Sequence, residues 1–182
     1  FEAKVIWSPS KSIWVMMMYL FGIYGVLFLS SIENFLVFLI SSAITLCLGH
    51  SLGMHRRLIH QSYECPKWLE YLFVHFGVIV GLAGPFGMVR THDTRDWAQR
   101  QPQCYPYFSH QSSFLKDGFW QIHCDIVLKH PPIFKEESIL DTQFYRFMEK
   151  TWMLQQLPLA LILYLIGGVE WVIWGTCLRV AI

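Results

Sequence analysis

Two histidines five residues apart, His55 and His60, frame the segment His-Arg-Arg-Leu-Ile-His at the end of an apolar run. Imidazole nitrogens are common ligands of transition metals, so this pair predicts a metal site. On an ideal α-helix, a spacing of five separates two side chains by about 140° and by roughly 7.5 Å along the axis. One ion does not suit that geometry. We therefore expect that each histidine serves a different ion of a two-metal centre, or that the helix breaks at this point.

A second polar cluster extends from Arg90 to Trp97 and contains His92 and Asp96, which lie four residues apart. On a helix these two residues share a face and could chelate one ion. Asp93 and Arg95 would then orient the ligands or balance their charge. The alternative is a solvated helix face with ordinary charge pairs, but the histidine pair upstream favours the metal site.

The elements that carry these clusters must lie in a membrane. The chain has 182 residues, of which 54% are hydrophobic and 16% aromatic, and its mean hydropathy of +0.37 is too high for an ordinary soluble domain. Apolar runs at residues 12–30 and 35–54 are each long enough to cross about 30 Å of hydrocarbon as a helix. The four-residue link between them predicts a helical hairpin, which puts His55 on the same side as the N-terminus.

Two further apolar runs, at residues 152–166 and 171–182, predict a second hairpin whose fourth helix is cut off where the chain ends. The predicted fold is therefore an all-α integral membrane protein with two transmembrane hairpins and a helical cytoplasmic cap at residues 55–150. We expect one domain over residues 1–182 that is incomplete at its C-terminus.

A glycine-rich apolar segment at residues 71–88 lies inside the cap region. A full crossing there would place the basic segments on either side of it on opposite faces of the membrane, so we expect a re-entrant or in-plane helix that breaks near Gly84-Pro85. The alternative is a true membrane span with a different topology.

Basic residues indicate which side the cap occupies. Of the 14 Lys and Arg residues, 11 lie between His55 and Lys150, which predicts that this stretch and the candidate site face the cytoplasm. The net charge of +1 and the interleaving of basic with acidic residues exclude a nucleic-acid partner. The five cysteines form no CxxC pair and are typical of reduced thiols.

The remaining histidines and the aromatic residues of the cap give weaker signals. A haem protein with His50 as axial ligand would need a second histidine at similar depth, which neither the first nor the third apolar run contains. We expect the large aromatic residues of the cap to build its core rather than to stack on a cofactor: Trp97, Phe114, Phe119 and Trp120.

The segment from Gly49 to Tyr63 resembles the first histidine box of the membrane-bound fatty acid desaturases, in particular their acyl-CoA desaturase branch. The interval from His55 to His92 is also similar to the family's interval between its first and second boxes. The resemblance implies a centre of two non-haem irons held by His55, His60, His92 and Asp96, with dioxygen as co-substrate and no catalytic residues besides the metal ligands.

The resemblance also implies partners. The substrate would be a fatty acyl chain carried by CoA or a lipid, with Arg90 and Lys129 near the head group of the carrier. The electron donor would be a ferredoxin or a cytochrome b5-type protein, and the lipid bilayer would surround the helices.

The sequence departs from the family pattern at two places, and these departures leave two rival interpretations open. The family's second box reads His-x-x-His-His, whereas this chain has His92, Arg95 and Asp96 at the three positions. The third box would lie beyond Ile182, so we expect the full gene product to continue and supply the missing ligands. The rival interpretations are a related fatty acyl hydroxylase and a degenerate, non-catalytic lipid-binding membrane protein.

Overall fold

The computed structural model describes residues 2–130, 132 and 142–182, and most of these are helical. The described residues form two compact units. One is built from residues 1–17 and 90–134, and the other from residues 18–89 and 135–182. We call these the ribbon unit and the bundle unit.

The first two apolar runs form two long helices. Helix α1 covers Pro9–Phe28, and α2 covers Ile32–Ala43 and continues without a break into a segment with π-type hydrogen bonds, π1, at Ile44–Ile59. The Ser31 side chain begins α2 by accepting a hydrogen bond from the backbone N–H of Asn34. Only residues 29–31 link α1 to α2.

The last apolar region is one helical stretch that turns back on itself. It consists of α8 (Gln156–Val172), the π-type segment π2 (Ile173–Leu178) and α9 (Arg179–Ala181). Gly168 interrupts it with φ 71° and ψ −162°, a conformation that is essentially restricted to glycine. Contacts then pair residues on either side of this point, as the Arg179 guanidinium donates to the Gln156 side chain over 2.6 Å. The reversal lies at the glycine pair between the two predicted runs.

Three helical stretches are long and apolar enough to cross a membrane, as judged by length and composition among the described residues: Pro9–Phe28, Ile32–Ile59 and Gln156–Ala181. The protein is therefore a membrane protein. The third of these stretches contains the reversal at Gly168.

Shorter helices complete the bundle unit. Helix α3 covers Lys67–Ile79, α4 begins at Pro85 and ends at Gln99, and α7 covers Gln143–Thr151. The segment between α3 and α4 contains Gly81, whose φ of 88° ends the α-helical path. The core of this unit combines π1, α3, α4 and α7 through a set of fully or almost fully buried side chains: Met54, Leu58, Val74, Val78, Val89, Tyr145 and Met148.

Glycines allow π1 and α3 to approach each other closely. A Cβ on Gly53 would lie 2.5 Å from the backbone carbonyl of Phe73, and one on Gly49 would meet the backbone of Phe76 and Gly77. Backbone atoms on a neighbouring helix cannot move aside as the end of a flexible side chain can. The absence of a side chain at Gly49 and Gly53 therefore sets the distance between these two helices.

The ribbon unit contains two strands that the all-α prediction missed. Strand β1 (Ala3–Trp7) pairs antiparallel with β2 (Cys124–Leu128), with Ala3 opposite Leu128 and Trp7 opposite Cys124. Both strands are rich in β-branched or large apolar residues, but more than 100 residues separate them in the chain. No local turn signal could have linked them, and this is why sequence patterns did not predict the ribbon.

Helices α5 (Pro106–Ser109) and α6 (Phe114–His123) pack beside the ribbon. Trp97 and Trp120 lie against a core of Ala98, Tyr107 and Phe108, as expected. The expectation for Phe114 and Phe119 was wrong, because these side chains are 90% and 52% exposed. They lie on the side of α6 that does not face this core.

We predict that Gly53→Ala lowers the free energy of unfolding by about 1–3 kcal/mol, because the added methyl group meets backbone and forces π1 away from α3. The measurement is thermal unfolding in detergent micelles. Gly118→Ala is the matched control, since no described atom lies within 4 Å of a Cβ at Gly118 on α6. That variant should be neutral or stabilising by up to about 1 kcal/mol, and equal effects of both variants would contradict the packing argument.

Candidate metal centre

The two histidines of the first box lie next to each other. The Nε2 atoms of His55 and His60 are 3.2 Å apart, and the two rings meet edge to face with their centroids 4.5 Å apart. This approach contradicts the premise that a spacing of five places the side chains on different sides of the helix. The premise assumed α-helical winding, which this segment does not have.

The π-type hydrogen bonds of π1 explain the approach. The backbone N–H of His60 donates to the carbonyl of His55 over 3.0 Å, so residues five apart are joined across one turn. Residues five apart therefore share a face, and His55 and His60 form a histidine cluster.

The residues after His60 hold the end of π1 in place. Gln61 adopts a left-handed conformation with φ 46°, which stops the helix. Ser62 then donates to the carbonyl of Arg56 from both its backbone N–H and its hydroxyl, and the Tyr63 hydroxyl donates to the carbonyl of Leu52 over 3.0 Å. The polar and aromatic residues that follow the histidine pair thus hold the end of π1 through carbonyls of its last two turns.

The donor set of the histidine pair fits a metal ion. Transition-metal bonds to imidazole nitrogen are about 2.1 Å long, so two such ligands on one ion at right angles lie about 3.0 Å apart, and slightly further in a tetrahedral site. The observed separation of 3.2 Å falls in this range. Two neutral imidazoles suit iron among other transition metals, and His55 is half-buried whereas His60 is exposed.

A buried carboxylate fixes the arginine between the histidines. Glu70 on α3 has a side chain that is only 2% exposed, and it forms ion pairs of 2.7 Å with Arg57 of π1 and with Lys67. Tyr145 on α7 donates its hydroxyl to the same carboxylate. Burial alone would raise the pKa of Glu70, but hydrogen bonds from Lys67 and Tyr145 and the charge of Arg57 outweigh burial and hold the pKa below its usual value.

The second polar cluster lies on α4 in the ribbon unit. The Nδ1 atom of His92 is 3.4 Å from the Asp93 carboxylate and 3.9 Å from the Asp96 carboxylate. Both acids therefore lie on the Nδ1 side of the ring. Arg95 donates to the side chain of Gln121 over 3.4 Å, which turns its guanidinium toward α6.

The two basic residues assigned to the acyl carrier lie in the ribbon unit as well. Arg90 is exposed on α4, and the Lys129 ammonium group forms an exposed ion pair of 2.6 Å with Glu2. Glu70 and Tyr145 were missed by the sequence analysis, although the spacing of Lys67 and Glu70 was a visible i,i+3 charge pair.

Known proteins with related sequences are desaturases. An sn-1 stearoyl-lipid 9-desaturase of Anabaena variabilis is 31% identical over 92% of this chain and 63% of its own length. An enzyme of the same name from Synechocystis is 33% identical over 80% of this chain and 44% of its own length. The chloroplastic palmitoyl-monogalactosyldiacylglycerol delta-7 desaturase of Arabidopsis thaliana is 31% identical over 75% of the chain and 37% of its own length.

No family model matches the chain. The apolar helices and the adjacent histidines define a membrane protein with a candidate metal site. The relatives identify the family to which this membrane protein belongs. The chain belongs to the fatty acid desaturase family. It spans between 37% and 63% of the length of these three relatives.

We predict that Glu70→Ala lowers the free energy of unfolding by about 3–5 kcal/mol, because it leaves the Arg57 charge half-buried and without its ion pair. Lys67→Ala removes the other ion pair of the same carboxylate and should cost only about 0–1 kcal/mol, since the Lys67 side chain is 67% exposed. Denaturant unfolding in micelles measures both. A Lys67 variant as damaging as the Glu70 variant would show that burial of Arg57 is not the cause.

Proposed function

We propose that the full-length protein is an oxygen-dependent fatty acyl desaturase whose two-iron centre is held in part by His55, His60 and His92. The observation that carries this proposal is the 3.2 Å approach of the His55 and His60 nitrogens in a chain of the desaturase family. Bound iron would supply the activation of dioxygen that removal of hydrogen from an unactivated methylene requires. No side chain can supply that oxidant.

The interval from His55 to His92, which is similar to the family's interval between its first and second boxes, supports His92 as the third histidine ligand. Its Nδ1 side is occupied by carboxylates, which favours Nε2 as the ligand atom.

Asp93 and Asp96 take different roles in this proposal. Asp93 is the nearer acid to His92 Nδ1 and orients the ring, and Arg95 balances charge beside it. Asp96 is the candidate fourth ligand, although its carboxylate lies on the Nδ1 side, where it would also orient the ring. The metal-loading experiment below separates these two roles of Asp96.

Three histidines and one carboxylate are fewer ligands than two irons need. We therefore propose that the remaining ligands come from parts of the protein outside this chain. The fraction of the relatives that the chain spans supports this, because even the Anabaena desaturase is matched over only 63% of its length.

The proposed arrangement in the membrane has two hairpins, with the histidines at the cytoplasmic side. The first hairpin is formed by α1 and α2–π1, and the second by the two arms that meet at Gly168. Contacts within the bundle unit support the second hairpin, because the Leu163 side chain lies 2.6 Å from where a Cβ of Gly175 would be. The concentration of Lys and Arg between His55 and Lys150 supports the cytoplasmic orientation.

The substrate we propose is a fatty acyl chain on a membrane lipid rather than on CoA. The names of the three relatives support this choice, because each describes an acyl group esterified to a lipid. Arg90 and Lys129 would then contact the polar head group of that lipid. Electrons would come from a separate protein, a ferredoxin or a cytochrome b5-type donor.

We predict that His55→Ala, His60→Ala and His92→Ala each reduce bound iron to less than about half of the parent value in the purified full-length protein, while helical circular dichroism is unchanged. Mass spectrometry of the metal content measures this without any assay of activity. Asp96→Ala should lose iron if Asp96 is a ligand and retain iron if it only orients His92. Parent iron content in all three histidine variants would refute the ligand assignment.

The control for metal loading is His110→Asn. His110 lies outside the candidate centre, pairs with Asp117 at 2.8 Å and has a φ of 53°, which asparagine tolerates. Its iron content should equal that of the parent. Loss of iron in this control would mean that general damage, not ligand removal, explains the other variants.

We predict that expression of the full-length protein with a competent electron donor produces new monounsaturated fatty acids, and that His92→Ala reduces them to below about a tenth. Gas chromatography of lipid classes separated beforehand measures both the bond position and the acyl carrier. Hydroxylated chains would contradict desaturation and point to a hydroxylase. Unchanged fatty acids, with iron bound, would contradict the catalytic role altogether.

A further inference from the structure

Helix α6 carries an apolar stripe that the core of its unit does not use. We define the stripe as Phe114, Leu115, Gly118, Phe119 and Ile122. At 100° per residue these positions fall within about 140° of the helix circumference, and none of them is charged. The stripe is therefore a continuous apolar face along the whole length of α6.

The stripe is open among the residues that the structure describes. Phe114, Leu115 and Phe119 are 90%, 82% and 52% exposed, and a Cβ at Gly118 in the middle of the stripe would have no atom within 4 Å. Trp120, on the other side of the helix, packs into the unit core with Tyr107. The helix is thus fixed through its other side, and the stripe faces outward.

The C-terminal end of α6 is attached to the first turn of α1. The His123 carbonyl accepts a hydrogen bond of 2.9 Å from the backbone N–H of Ser8, and His123 Nδ1 lies 3.1 Å from the Ser12 hydroxyl. The Phe119 ring packs on the His123 ring with centroids 5.0 Å apart. Since α1 is long and apolar enough to cross the membrane from this turn onward, these contacts hold α6 at the depth where α1 begins.

Trp7 also lies at the start of α1, where it contacts Ser12. Its side chain is 60% exposed, and its indole N–H donates to the Ser12 hydroxyl over 2.8 Å. Tryptophan is enriched where a helix enters the head-group region of a bilayer. Lys11 is a nearby cation, bonded to the Cys124 carbonyl and 3.7 Å from the Asp125 carboxylate, and its positive charge suits a surface of lipid phosphates.

We propose that the α6 stripe is a membrane-docking surface that inserts into the head-group region of the bilayer beside the start of α1. The occupant is lipid, because the stripe is apolar and uncharged and because α1 supplies the membrane next to it. A soluble electron donor would instead be recognised by a patch of complementary charge. The proposal does not depend on the metal centre or on the identity of the substrate.

The test uses the full-length protein with the photoreactive residue p-benzoylphenylalanine in place of Gly118. The open space at this position accepts the large side chain without disturbing the core. The protein is reconstituted in nanodiscs of phosphatidylcholine and phosphatidylglycerol and irradiated, and adducts are identified by mass spectrometry. We expect a phospholipid adduct at residue 118 with at least five times the yield found for the same substitution at Lys116, which lies about 130° from the centre of the stripe.

A second variant carries the probe in place of Phe114, so that the stripe can still be tested if the Gly118 variant does not fold. Folding of each variant is checked by circular dichroism and gel filtration before irradiation. Equal lipid adducts at residues 116 and 118, or none at both 114 and 118, would overturn the proposal. So would an adduct in whole cells between residue 118 and a soluble electron donor, or one between two copies of the chain.

Discussion

The i→i+5 hydrogen bonds of π1 are the constraint on which the candidate centre depends. They place His60 on the same face as His55, although α-helical winding would put these side chains on different sides. The same winding decides where Arg57, between the two histidines, points. Its guanidinium reaches Glu70 on α3. The π-type hydrogen bonds thus bring the two histidines together, and the arginine between them pairs with α3.

Runs of π-type helix are rare, so this one needs support from its surroundings. The bundle unit supplies it in two ways. Glycines at positions 49 and 53 let π1 lie almost backbone to backbone with α3, which compensates for the loss of ordinary helical packing with a large contact. The buried carboxylate of Glu70 then ties π1 to α3, and the Tyr145 hydroxyl ties the same carboxylate to α7. Close packing and the Glu70 ion pair therefore both hold π1 against α3.

Sequence reasoning recovered the features that depend on local pattern. The apolar runs and the glycine pair that interrupts the last of them follow from composition alone. It did not recover features that depend on partners distant in the chain. The pairing of β1 with β2 joins segments with no turn between them, and the exposure of Phe114 and Phe119 depends on which face of α6 meets the core. The winding of π1 was missed because no residue type marks it.

Glu70 explains how a metal cation can bind at the histidine pair despite the positive charge of the neighbouring arginines. Two arginines lie between His55 and His60, and unscreened positive charge that close would oppose a divalent ion. Arg57 is the less exposed of the two, and the buried carboxylate at 2.7 Å cancels its charge. Arg56 is exposed, so water and salt screen it within about 10 Å at ordinary ionic strength. The carboxylate that stabilises π1 therefore also lowers the electrostatic cost of placing a metal ion at His55 and His60, so the stability of π1 and the chemistry proposed for it depend on the same residue.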